Sequence, residues 1–278
     1  MSMKIGIMQG RLSPPINNLI QAFPIQKWRD EFSLAKLIGV SCIEWIYEKE
    51  VGFVNPISTD KGIAEILLIA RESTVMVESL CADYFISEPL LRGPKDEQNK
   101  RLDVLFWLIG RCQACSIKRI ILPFVDNSKI RDRVEFDNLI ILLKNVTKLS
   151  ENKKIEIHLE TSLEPEKIAN LLELVSCRSL KINYDSGNSA SLGYDVESEF
   201  LAYGKFIGSI HIKDRVAGGN SVPLGKGSVD FSRLAKCLRR IGYRGDYILQ
   251  VARGSPGDEL SWAKKNISFI QKWLPSNI

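Results

Sequence analysis

Four polar side chains stand at or near the ends of four apolar runs, and their types suit a divalent cation. The runs read IEIHLE, INYDSGN, IHIKDR and ILQVAR, and they supply Glu160, Asp185, His211 and Gln250. Two carboxylates, an imidazole and an amide oxygen together favour Mn²⁺, Mg²⁺, Co²⁺ or Zn²⁺. We expect a metal site with positions left open for substrate oxygens, provided that the fold brings the four residues together.

Alternation of polar and apolar residues indicates that these side chains face the same way, because successive side chains of a β-strand point to opposite sides. In three of the runs one parity is polar and the other apolar, which predicts a polar lumen and an apolar surface against helices. A buried network of ion pairs and hydrogen bonds is the competing interpretation. The polar parity comprises Glu156, His158, Glu160, Lys181, Asn183, Asp185, Ser209, His211 and Lys213.

The elements that must hold these residues alternate along the whole chain. Short apolar runs predict eight strands, at 4–9, 42–46, 75–82, 118–123, 154–160, 180–185, 207–213 and 247–252. A period near 3.6 residues predicts helices at 25–38, 59–72, 95–114, 135–150, 165–175, 196–203, 231–240 and 259–272.

Eight strand–helix units without a linker predict an α/β fold, a (β/α)8 TIM barrel that forms a single domain over residues 1–278. A doubly wound open sheet is the weaker alternative. In a barrel the C-terminal ends of the strands surround one cavity, so the four candidate ligands are expected at its mouth.

Composition excludes several classes of function. The 278 residues carry a net charge of +5 without a basic run, which predicts no nucleic-acid partner. No apolar stretch approaches the roughly 20 residues of a membrane span, and the N-terminus lacks the layout of a signal peptide, so we expect a cytoplasmic protein without a membrane partner. The six cysteines are dispersed, which predicts free thiols rather than a disulfide framework.

Motifs along the chain resemble those of a known family. The motifs are KIGIMQGRLSPP, GVSCIEW, IEIHLE, NYDSGN, IHIKDR, PLGKGSVDF and YILQVAR. They are similar to the sugar phosphate isomerases and epimerases of the xylose-isomerase-like TIM barrels, in the AP endonuclease family 2 superfamily. The resemblance implies a metal held by a glutamate, an aspartate, a histidine and a second glutamate at strands five to eight. The first three map onto Glu160, Asp185 and His211, whereas Gln250 departs from the fourth. Many members carry a substrate-binding histidine where this chain has Asn188.

The resemblance implies isomerisation or epimerisation of a sugar or sugar phosphate through an enediolate. Epimerising relatives use two opposed glutamates as bases, and Gln250 cannot accept a proton at neutral pH. Two-base epimerisation is therefore disfavoured unless Glu44 or Lys213 substitutes. One-base aldose–ketose isomerisation remains, with Glu160 as the base and Lys213 polarising a substrate oxygen.

Basic residues near the predicted mouth suggest a phosphate site, which would also use backbone N–H groups of the PLGKGS segment. In the competing interpretation the glycines only form a turn and the arginines pair with nearby aspartates. Whether the chain forms a homo-oligomer is left open. The predicted substrate-binding residues are Arg11, Glu44, Asn188, Arg215, Lys226 and Arg253.

The sequence also bears on three other functions. A DNA-repair enzyme of the same superfamily is excluded, because it needs a histidine-rich zinc site and the chain has two histidines. A barrel that binds sugar with weak or no metal, and without turnover, would explain Gln250. A metal-dependent lyase or dehydratase acting on a polyhydroxylated acid would use the same enolate chemistry.

Overall fold

A closed barrel of eight parallel strands forms the centre of the protein, in a computed structural model that describes residues 4–274. The barrel strands are β1 (Ile5–Met8), β2 (Cys42–Ile46), β3 (Met76–Cys81), β4 (Arg119–Phe124), β5 (Glu156–Thr161), β6 (Leu180–Asp185), β7 (Ile207–Ile212) and β10 (Tyr247–Leu249). A short antiparallel hairpin, β8 (Asp214–Arg215) and β9 (Ser221–Val222), follows β7. β1 closes the barrel by pairing with both β10 and β2. The predicted TIM barrel is confirmed; residues 1–3 and 275–278 of the predicted 1–278 domain lie outside the described residues.

Helices connect and cover the strands. The α-helices are α1 (Trp28–Leu37), α2 (Asp60–Ser73), α3 (Tyr84–Ser87), α4 (Lys95–Ala114), α5 (Arg133–Asn152), α6 (Pro165–Val175), α7 (Ser186–Leu192), α8 (Val196–Tyr203), α9 (Phe231–Arg240) and α10 (Glu259–Trp273). Short 3-10 helices lie at Gly52–Val54, Pro56–Ser58, Asp126–Ser128 and Gly204–Phe206. Within residues 4–274, no helix is both long enough and apolar enough to cross a membrane.

Helix α9 illustrates why the sequence forms an outer layer. Its buried residues include Phe231, Leu234, Ala235 and Leu238, and this i, i+3, i+4, i+7 spacing forms one apolar face. Asp230 caps the first turn by accepting a hydrogen bond from the backbone N–H of Arg233 at 2.9 Å. The apolar side chains of the strands pack against such helix faces, and the alternate, polar side chains point into the lumen.

Most predicted elements agree with the structure, but the short helices α3 and α7 and the 3-10 helices were not predicted. Helix α7 begins directly after Asp185 in the sequence SGNSASL, whose Gly, Asn and Ser residues are weak helix formers. It exists because Asp185 accepts a hydrogen bond from the Asn188 backbone N–H at 2.8 Å, an N-cap at the end of a strand. The hairpin β8–β9 was also not predicted, and the last barrel strand ends at Leu249, three residues earlier than expected.

A buried carboxylate fixes the loop that follows β1. Glu31 accepts hydrogen bonds from the Gly10 N–H at 2.9 Å, the Leu12 N–H at 3.1 Å and the Ser13 hydroxyl at 2.9 Å. Burial raises the pKa of Glu31 to about 7, although these three donors favour its charged form. This helix side chain therefore sets the path of the first loop at the barrel mouth.

Replacing Glu31→Ala should lower the free energy of unfolding by roughly 2–4 kcal/mol, because buried backbone N–H groups lose their acceptor. Urea unfolding followed by circular dichroism measures the change. Asp30→Ala alters the exposed neighbour on the same helix and should leave the urea midpoint close to that of the wild type. Equal midpoints for the Glu31→Ala variant and the wild type would show that the loop does not depend on this carboxylate.

Candidate metal centre and sugar cavity

Three of the four predicted ligands meet at the C-terminal ends of neighbouring strands. Glu160 is the last residue but one of β5, Asp185 ends β6 and His211 lies on β7. One ligand atom from each lies within 4.8 Å of the others. All three side chains are buried. The strand register explains the meeting, because Asp185 lies directly opposite His211 in the β6–β7 pair. This arrangement can hold a divalent cation between two carboxylates and an imidazole.

The imidazole of His211 lies between two carboxylates. Its Nε2 is 2.6 Å from Glu44 Oε1, and its Nδ1 is 3.2 Å from Glu160 Oε2. A carboxylate that accepts Nε2–H orients the ring and leaves Nδ1 toward the other ligands, which is the arrangement found behind many metal-bound histidines. Glu44, predicted to bind substrate, instead lies fully buried on β2, where it supports His211.

Electrostatics at this contact favour a positive charge. Burial alone would lower the pKa of His211, but the carboxylates of Glu44 and Glu160 raise it to about 10. Burial would raise the pKa of Glu44, whereas the charge and hydrogen bond of His211 hold it below its usual value. A protonated His211 imidazole thus offsets the negative charge of the two carboxylates. A cation that binds at Nδ1 would have to displace the proton on that nitrogen.

Asn183 supports two of the candidate ligands from the lumen side. Its Nδ2 donates to Glu160 Oε2 at 3.0 Å and lies 3.0 Å from His211 Nδ1. Its Oδ1 accepts a hydrogen bond from the Ser209 hydroxyl at 2.6 Å, and the Ser209 Oγ lies 2.7 Å from His158 Nδ1. The polar parity of the three strands therefore forms one connected layer in the lumen. Asn183 was not predicted as a site residue, although its parity and its position two residues before Asp185 were visible signals.

Gln250 is the fourth predicted ligand, and its two amide atoms differ in their contacts. Its Nε2 donates to Gln21 Oε1 at 3.1 Å, whereas its buried Oε1 has no hydrogen-bond partner within residues 4–274. Gln250 lines the same cavity as Glu160. A buried amide oxygen without a partner is costly, and a bound cation would satisfy it. The residues present therefore fit a divalent metal.

Two side chains complete the inner wall of the cavity. Lys213 Nζ lies 3.1 Å from Asp185 Oδ2. Asn188, from the first turn of α7, donates through Nδ2 to Glu160 Oε1 at 2.9 Å. Together with Asn183, it gives each oxygen of the Glu160 carboxylate an amide donor, which fixes the plane of that group.

The cavity above these residues has a volume of about 310 Å³, and both Lys213 and Gln250 line it. Its other walls come from the loops after β1, β2, β3 and β4, through residues such as Gln21, Glu48 and Asp83. The size and polar lining are those of a site for a small polar molecule.

Comparison with known proteins agrees with this geometry. Residues 32–273 match the family described as the xylose isomerase-like TIM barrel. The chain belongs to that family. L-ribulose-5-phosphate 3-epimerase UlaE of Escherichia coli (strain K12 / DH10B) is 24% identical over 240 residues, covering 81% of this chain and 82% of that enzyme. The isomerase or epimerase class expected from the sequence is confirmed at the level of this family and its named relatives.

Solved structures of the xylose isomerase-like fold superpose closely on this chain. The crystal structure of the IOLI protein with a zinc atom has a TM-score of 0.77 at 17% identity and covers 98% of this chain and 99% of that one. The structure of an L-ribulose 3-epimerase has a TM-score of 0.77 at 15% identity, with coverage of 98% and 94%. These likenesses establish the shared barrel.

The arginines predicted to bind substrate direct their guanidinium groups elsewhere in this family member. Arg11 donates to the Val251 carbonyl at 2.9 Å and to Gln21 at 3.2 Å. Arg253 donates to the backbone carbonyls of Ile20 and Ser13, both at 3.0 Å. Neither arginine lines the cavity.

Arg215 and the PLGKGS segment lie beside the cavity. Arg215 donates to the Gly219 carbonyl and to Asn188 Oδ1, both at 2.8 Å. The backbone N–H groups of Gly225 and Gly227 both donate to Asp214 Oδ2, at 2.8 and 2.9 Å.

Lys226, between the two glycines, is exposed and does not line the cavity. Of the donors predicted for a phosphate, the three arginines and the two glycine N–H groups thus make hydrogen bonds within the protein.

Replacing Asn183→Asp should lower the free energy of unfolding by about 3 kcal/mol at pH 8 in the presence of a chelator, because it places a second buried carboxylate next to that of Glu160. Like charge and burial raise the pKa of the new aspartate above its unfolded value, so the deficit should shrink as the pH falls toward 5. Urea unfolding at pH 5 and pH 8 measures the difference. Asn188→Asp makes the same exchange at a half-exposed position and should show a smaller deficit. A deficit for Asn183→Asp that does not change with pH would contradict the arrangement.

Proposed function

We propose that this protein is a metal-assisted isomerase or epimerase that acts on a sugar in the cavity at the C-terminal mouth of the barrel. The observation that carries the proposal is the cluster of Glu160, Asp185 and His211, whose Glu160 lines the same cavity as Gln250 with its unpartnered oxygen. The named relatives that act on pentuloses or their phosphates support the same class of substrate.

A divalent ion, whether Mn²⁺, Mg²⁺, Co²⁺ or Zn²⁺, would be held by Glu160, Asp185, His211 and Gln250. When bound, it supplies a Lewis acid that polarises a carbonyl and stabilises developing negative charge. Glu44 and Asn183 act through these ligands, since Glu44 orients His211 and Asn183 fixes the Glu160 carboxylate.

Glu160 is the residue best placed to move the proton next to the sugar carbonyl. It lines the cavity, and the amides of Asn183 and Asn188 hold its two oxygens in a fixed orientation. Lys213 presents an ammonium group at the same wall, where it can donate a hydrogen bond to a substrate oxygen. A positioned base and a positioned donor are the two groups that enediolate formation requires.

Gln250 favours aldose–ketose isomerisation over two-base epimerisation. The position holds an amide, which cannot accept a proton at neutral pH. Glu44, the other carboxylate considered for a second base, is fully buried and bound to His211. One-base transfer by Glu160 on a single face of the sugar is the reaction that these residues supply.

A sugar-binding barrel without turnover is the second candidate. The pairing of Lys213 with Asp185 favours it, because the ammonium group neutralises a carboxylate that a metal would otherwise occupy. Metal binding separates the two candidates.

Calorimetric titration of chelator-treated protein with Mn²⁺ should show one site, and Gln250→Glu should tighten it about tenfold because a charge replaces a dipole. Gln113→Glu makes the same exchange at an exposed position on α4 and should bind Mn²⁺ like the wild type. No heat at millimolar Mn²⁺, in either the wild type or Gln250→Glu, would favour the sugar-binding barrel.

Metal-loaded protein should exchange the proton next to the carbonyl of a ketose in D₂O, as followed by NMR over a panel of sugars. Glu160→Gln should slow this exchange by roughly 10²–10⁴-fold, since it removes the base. Glu173→Gln, on the outer helix α6, serves as the control and should exchange normally. Exchange that survives Glu160→Gln would remove Glu160 from this role, and clean inversion at C3 without aldose formation would identify an epimerase.

A further inference from the structure

One part of the cavity wall is acidic. Glu48, Glu50, Asp83 and Asp126 line it, and they come from the loops that follow β2, β3 and β4. Of the described residues that line the cavity, only Lys213 is basic. A molecule that reaches from the metal ligands to this wall therefore meets an excess of negative charge.

These carboxylates have few cationic partners of their own. Glu48 accepts a hydrogen bond from the Phe23 backbone N–H at 2.8 Å. Asp83 accepts hydrogen bonds from the Gln21 amide at 2.5 Å and from the Cys81 thiol at 3.1 Å. Burial raises the pKa of Asp83, although the charge of His211 acts in the opposite direction, and burial raises the pKa of Glu48 to about 6.

Lys213 lines the cavity but is paired with Asp185. The guanidinium groups of Arg11 and Arg253 do not line the cavity; Arg11 donates to the Val251 carbonyl and to Gln21, and Arg253 donates to the Ile20 carbonyl. The glycine-rich segment turns its N–H groups toward Asp214, so it offers no anion cradle at this point.

A second feature of the same cavity marks it as a ligand site. Gln250 is only 6% exposed, lines the cavity, and carries an amide oxygen with no hydrogen-bond partner among residues 4–274. Gln21 connects this amide to the acidic wall, because it accepts a hydrogen bond from Gln250 Nε2 and donates one to Asp83.

We propose that this cavity selects its sugar by charge and takes an amino sugar, whose protonated amine reaches the acidic wall while its carbonyl end faces Glu160. The proposal rests on the proposed function for the location of the carbonyl end. A protonated amine gains attraction to uncompensated carboxylates, a neutral hydroxyl can only donate hydrogen bonds to them, and a phosphate is repelled. The expected order of affinity is amine, then neutral sugar, then phosphate, although a named relative is an epimerase of a sugar phosphate.

Three probes that differ at one carbon test this order: 6-amino-6-deoxy-D-glucose, D-glucose and D-glucose 6-phosphate. Calorimetry on the full chain with Mn²⁺, and again with a chelator, should give about tenfold tighter binding at each step toward positive charge at low ionic strength. The preference should shrink in 0.5 M salt, because screening weakens interactions between exposed charges.

A matched pair of double variants shows whether the acidic wall is the cause. Glu50→Gln with Asp126→Asn neutralises two exposed residues of the wall and should reduce the preference for the amine by about tenfold. The control, Asp103→Asn with Glu173→Gln, makes the same charge change on outer helices and should keep the wild-type order. Neither pair alters a residue assigned to metal binding or proton transfer.

The outcomes separate this inference from the proposed function. Phosphate binding as tight as that of the neutral sugar, an amine no tighter than the neutral sugar, or no binding of any probe would overturn charge selection. Selective binding of the amine without proton exchange in D₂O would support charge selection and count against the isomerase. Proton exchange with a phosphate as the preferred probe would retain the isomerase and reject charge selection.

Discussion

The contact of one imidazole with two carboxylates, Glu44–His211–Glu160, is the constraint on which the site depends. It draws together β2, β5 and β7, three strands that are not neighbours in the barrel order. Such a contact is stable in a buried lumen only if the charges balance, since an unpaired carboxylate there would destabilise the fold. The surrounding amides and hydroxyls satisfy the remaining lone pairs. The barrel can therefore keep an ionic core at its mouth while its outer face remains apolar.

This constraint also explains how a family member can differ at its fourth ligand. Glu160, Asp185 and His211 belong to three consecutive strands. Asn183 contacts both Glu160 and His211, and Lys213 pairs with Asp185. Gln250 directly follows β10 and donates a hydrogen bond instead to Gln21, in the loop after β1. A change of charge at Gln250 thus leaves the other three in place. In the proposed function, such a change alters the number of available bases and the strength of metal binding.

Much of the fold was predictable because strand and helix periods persist through whole elements. Helix α4 and strand β6 have the predicted bounds, and the alternation in β5, β6 and β7 placed Glu160, Asp185 and His211 on one side. Helix α7 was missed because it depends on an N-cap supplied by a strand residue. The positions of loop groups could not be read from periodicity. Arg11 and Arg253 are near the mouth in sequence, but long-range carbonyls fix their direction, and nothing local encodes those partners.

Asp214 has a consequence for how the mouth can vary. Its carboxylate accepts hydrogen bonds from the N–H groups of Gly225, Gly227 and Val229. Because Asp214 is fully buried, it fixes the position of the segment after the β8–β9 hairpin on that side of the rim. On another part of the rim, Glu50 and Asp126 are exposed. Libraries built on this barrel should therefore diversify exposed positions such as these two and leave the Asp214 segment unchanged.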